Sequence, residues 1–67
     1  MNRTTYILDA AELMIDASEH ESVDKAKDLL KQVRKTYKSD IVTDAYEMMS
    51  DKVRAKLHAI MNGGNNA

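Results

Sequence analysis

His20 lies four residues beyond Asp16 and eight beyond Glu12. On a helix, that spacing stacks two carboxylates and an imidazole along one edge. Imidazole nitrogen and carboxylate oxygen are what a helical bundle offers a divalent transition metal. The chemistry stops short here, because coordination needs three or four ligands and no second ligand-rich helix faces this one. The ordinary role of such a histidine is at an exposed helix end, where it pairs with Asp16 and favours the C-terminal dipole. The string His20-Glu21-Ser22-Val23-Asp24 opens like a zinc-protease helix, but Asp24 stands where the second histidine belongs. His58, near Arg54 and Asp51 on a polar face, reads as a surface side chain.

Other routes to catalysis lack their parts. The chain has no cysteine to serve as nucleophile, metal ligand or disulfide. No serine is flanked by glycines as in a nucleophile elbow, and the only glycines, Gly63 and Gly64, lie in the tail. Three short helices scarcely enclose a pocket. The expectation is a protein that is not an enzyme and carries neither cofactor nor metal.

Charge is more informative, because it is sorted along the chain. Residues 1–21 carry Arg3 against Asp9, Glu12, Asp16, Glu19 and Glu21; residues 22–38 carry six cations against Asp24 and Asp28. The whole chain nevertheless sums to −1. Lys27, Lys31, Arg34, Lys35 and Lys38 share one side of a helix, within an arc of roughly 100°. Such a stripe either docks phosphates or an acidic partner surface, or complements the acidic stripe of the first helix, within the chain or across a dimer. The near-zero net charge favours the second reading. Sequence-specific nucleic-acid recognition also asks for base-reading Asn, Gln or Arg or for stacking aromatics, and this stripe is mostly lysine.

The elements that must position these groups are helical. Proline is absent and no glycine occurs before residue 63. No stretch alternates as a half-buried strand does. Boundaries therefore come from caps: Thr4 or Thr5 for the first helix, Ser22 for the second, Ser39 or Asp40 for the third. The spacing predicts an all-α, three-helix bundle with helices at about 5–18, 22–37 and 40–61. Residues 1–62 form a single domain, and the polar residues 63–67 are expected to be a disordered tail. The joint at 38–40 is the weakest of these boundaries, since helices 2 and 3 would otherwise run on as one; a change of apolar seam there argues for a break.

Apolar surface exceeds what one small chain needs. Residues 6–17 leave an apolar arc of roughly 220°, bounded by the stripe of Asp9, Glu12 and Asp16. Helix 2 is one-sided, with Val23, Ala26, Leu29, Leu30, Val33 and Tyr37 on one face. Helix 3 has a main seam of Val42, Tyr46, Met49, Val53, Leu57 and Ile60. Beside it runs a second strip of Ile41, Ala45, Met48, Ala55 and Ala59. At 67 residues, without Trp or Phe, such a chain gains core by association.

These features predict a homodimer through Leu8 and Ile15 on helix 1 and Ile41, Met48, Ala55 and Ala59 on helix 3. The function expected is that of a small regulatory or adaptor protein that binds other protein, with Lys27, Lys31, Arg34 and Lys38 steering it toward an acidic surface. The alternatives are a nucleic-acid-binding regulator, using a basic stripe doubled by dimerisation, and a structural or assembly component. No apolar run approaches a membrane span and no secretion signal opens the chain, so a cytoplasmic location is expected. Met1 and the polar tail are what a complete small gene product would carry.

Overall fold

The computed structural model describes residues 2–62. They form four helices: α1 (Arg3–Ser18), α2 (Val23–Thr36), α3 (Ser39–Glu47) and α4 (Asp51–Met61). Three of the four begin on a side-chain cap. Asn2 Oδ1 accepts from the Thr5 backbone N–H at 3.0 Å, Ser22 Oγ from Lys25 at 3.3 Å and Ser50 Oγ from Val53 at 3.3 Å. Each satisfies one of the N–H groups that a helix start leaves open. α1 thus begins earlier than Thr4 or Thr5 would have it, because the Asn2 amide oxygen already caps it. α3 begins after Lys38 without a side-chain cap, and Ser39 and Asp40 lie inside its first turn.

The predicted third helix, 40–61, is two helices. The chain turns at Met48 and Met49, and Ser50, with extended backbone, starts α4. Asp51 follows in the first turn, where a carboxylate suits the helix dipole. The Tyr46 hydroxyl donates to the Arg54 carbonyl oxygen at 3.2 Å and ties α3 to α4 across this break. The overhang that a single helix 3 would have left is thereby folded back. The break at Tyr37–Lys38, where both residues are extended, coincides with the change of seam.

α1 packs against each of the other three helices. Its Ala10, Ala11, Met14 and Ala17 are buried, joined in the core by Ala26, Leu30, Val33, Ile41, Ala45, Met49 and Leu57. Small side chains on α1 let neighbours approach closely on both flanks, so much of its wide apolar arc finds cover inside the protomer. Two further contacts close the ends. Tyr6 and Tyr37 meet edge-on with ring centroids 6.3 Å apart, and Arg3 reaches Asp40 at 3.2 Å and also pairs with Asp44. No described helix is long and apolar enough to cross a membrane.

Candidate functional site

α1 leaves apolar side chains exposed on two flanks, Tyr6 and Leu13 on one and Leu8 and Ile15 on the other. Leu8 and Ile15 are seven residues apart, two helical turns, and so point the same way. Leu8 is 52% exposed, and Met48, at the α3–α4 break, is 55% exposed. Together with Ala11, Met49 and Val53 they line a surface groove of about 430 Å³. Glu12 and Asp16 are the charged residues that line it, and Ser50 completes its wall. The arrangement is an apolar trough with an acidic lip, a shape that holds an apolar side chain or the stem of a long basic one.

The residues expected at an interface divide. Leu8, Ile15 and Met48 converge on this groove. Ala55 and Ala59 are exposed on α4 but do not line it. Ile41 is only 7% exposed and belongs to the core. The reason is the break at residues 48–50. It lets α3 turn independently of α4, so Ile41 and Ala45 face inward and Val42 and Tyr46 are half-buried. Ile41 therefore packs in the core and is not available to an interface.

The cations also divide. Lys27, Lys31, Arg34 and Lys35 lie on α2, with Lys27 half-buried and the others exposed. Lys38 falls in the extended joint before α3 and leaves the stripe. Among the described residues none of these five is within 4 Å of a carboxylate; the ion pairs are those of Arg3 with Asp40 and Asp44 and of Arg54 with Asp51. The acids Asp9, Glu12 and Asp16 are equally without a cation. The intramolecular complement between the two stripes does not form.

Compared with protein families, curated proteins and solved structures, the chain matches none.

The histidines occupy helix ends. His20 Nδ1 accepts from the Ser22 backbone N–H at 3.3 Å in the α1–α2 turn, and His58 contacts the Asn62 side chain at 3.1 Å. Among the described residues no three His, Asp or Glu side chains gather as metal ligands would. A second cleft, about 220 Å³, opens between α2, α3 and α4 over Leu30, Val33 and Leu57, with Arg34 and Glu47 on its walls. Sequence reasoning missed Ala11, Val53 and Ser50 as groove residues. Ser50 followed by Asp51 is the signal that would have found the break, and with it the groove.

Proposed function

We propose that this protein is a non-catalytic regulatory or adaptor module that works by binding protein, and that it assembles as a homodimer on the groove between α1 and the α3–α4 break. The observation that carries this reading is the convergence of Leu8 and Ile15 of α1 with Met48 of the α3–α4 turn on one trough, although Met48 lies some thirty or more residues from them in the chain. Exposed apolar side chains scattered singly need no explanation, whereas a contiguous patch marks an interaction surface. Met48 supports it further, because a flexible thioether adapts to a partner's contour.

Absolute mass by light scattering on a sizing column, across a concentration series, tests the proposal. A dimer is expected, and Met48→Asp is expected to reduce it to monomer, since a carboxylate buried in an apolar contact has no partner. A dimer that survives Met48→Asp would move the interface elsewhere. Growth beyond two copies would favour an assembly component. A nucleic-acid-binding regulator is the second reading, supported by the unpaired cations of α2. It requires binding to generic DNA or RNA that falls steeply with salt.

A further inference from the structure

The cleft between α2, α3 and α4 has two unlike ends. Its floor is core, formed by Leu30, Val33 and Leu57, each at most 5% exposed, with Met61 at its edge. Arg34, Val42 and Thr43 line both this cleft and a more open one of about 370 Å³ that continues to Ser39. Arg34 and Thr43 therefore stand where apolar floor gives way to polar surface. Among the described residues Arg34 has no carboxylate within 4 Å. Asp28, the nearest acid on α2, is six residues away and about 120° round the helix. Glu47 lines the cleft as well, but it lies eight residues beyond Ser39, about 12 Å along α3, and so stands toward the other end. A guanidinium presents paired, planar donors that fit a carboxylate, and the Thr43 hydroxyl adds another donor beside it. At about 220 Å³ the cleft is smaller than a drug-sized pocket. A dry cavity of about 150 Å³ takes benzene, so this one suits an apolar body of about six to eight carbons.

We infer that this cleft is a binding site for a small anionic amphiphile, with a single apolar chain on Leu30, Val33 and Leu57 and a carboxylate on Arg34 at the Ser39 end. No residue lines both this cleft and the groove between α1 and the α3–α4 break. Occupancy of the cleft therefore does not depend on the dimer proposed above. Burial of the chain supplies affinity, and Arg34 selects an anionic head over a neutral or cationic one. The donor set favours carboxylate over phosphate. A phosphomonoester brings nearly two charges and three acceptor oxygens, more than one guanidinium and one hydroxyl can satisfy with Glu47 on the same wall. Lys31 and Lys27 continue the cationic edge of α2 by steps of three and four residues, which draws anions toward the mouth.

Isothermal titration with octanoate, octanol, acetate and octyl phosphate tests the site. Octanoate is expected to bind saturably, one molecule per chain. Octanol has the chain without the charge and acetate the head without the chain, and each is expected to bind about tenfold more weakly or worse. Arg34→Gln is expected to weaken octanoate about tenfold and to leave octanol unchanged, since a charge-assisted pair is lost and the apolar floor is kept. Circular dichroism of the variant separates a lost site from a lost fold. Met48→Asp, in the groove, is expected to leave octanoate binding as it is. The absence of saturable octanoate binding would overturn the inference. Equal affinity for octanoate and octanol would do the same, as would an Arg34→Gln variant that binds octanoate like the wild type; either makes the cleft a plain apolar surface. Octanoate binding lost in Met48→Asp but kept in Arg34→Gln would place the chain in the groove instead. Octyl phosphate bound more tightly than octanoate would overturn the choice of a carboxylate head.

Discussion

Single polar side chains decide where these helices start. Ser22 and Ser50 perform the same act, an Oγ accepting from the backbone N–H three residues on, at 3.3 Å in both cases. Ser22 is legible in the sequence because a polar stretch, Glu19-His20-Glu21, precedes it. Ser50 is obscured, since Met49, Val53 and Leu57 keep a four-residue rhythm straight through the turn and make the segment resemble one helix. Replacing it tests the cap: Ser50→Ala is expected to lower stability by about 1 kcal/mol, read as a shift of the urea unfolding midpoint. Tyr46→Phe removes the donor to the Arg54 carbonyl across the same joint. A similar loss, about 1 kcal/mol, is expected from thermal unfolding. If both changes were silent, the joint would be held by packing alone.

At the scale of elements, the break at residues 48–50 reassigns the apolar strips. A continuous helix would hold Val42, Tyr46 and Leu57 on one inward seam and turn Ile41 outward. Two helices set their faces independently. α3 buries Ile41 and Ala45, and α4 buries Leu57. Leu57 is 2% exposed and is among the largest fully buried side chains, so it carries much of the attachment of α4. Leu57→Ala is expected to cost about 2–5 kcal/mol, enough to unfold much of the population of so small a domain. Circular dichroism and a urea titration would read it. Arg3→Ala, by contrast, removes a pairing among side chains that are 41–62% exposed. It is expected to cost less than about 1 kcal/mol, and less still in high salt. A reversed order of these two effects would mean that the bundle is tied at its ends rather than through its core.

For the molecule as a whole, the question is how much apolar surface remains after the protomer has folded. α1, placed against three neighbours, buries Ala10, Ala11, Met14 and Ala17 and leaves Tyr6 and Leu13 exposed on one flank and Leu8 and Ile15, beside Met48, on the other. If a second copy covers the latter flank, folding and association are linked, and stability depends on protein concentration. The thermal midpoint of the wild-type chain is then expected to rise with concentration, and that of Met48→Asp to stay constant. A concentration-independent midpoint in the wild type would count against the dimer.

Helical class, the turn at residues 19–22 and the sorting of charge between the first two helices were legible without coordinates, and a break expected at 38–40 falls one or two residues earlier, at 37–38. They are local properties, set by the absence of Pro and Gly, by caps and by periodicity within a few turns. The groove was legible only in part. Leu8, Ile15 and Met48 stand out as surplus apolar residues, yet nothing in their spacing says that they meet. Their meeting, the burial of Ile41 and the failure of the two charge rows to pair within the chain were decided by tertiary packing. Which face of α3 turns inward depends on how α3 leans on α1 once the chain has broken at Met48 and Met49. That orientation is set by contacts between residues some thirty positions apart, which no window along the sequence contains.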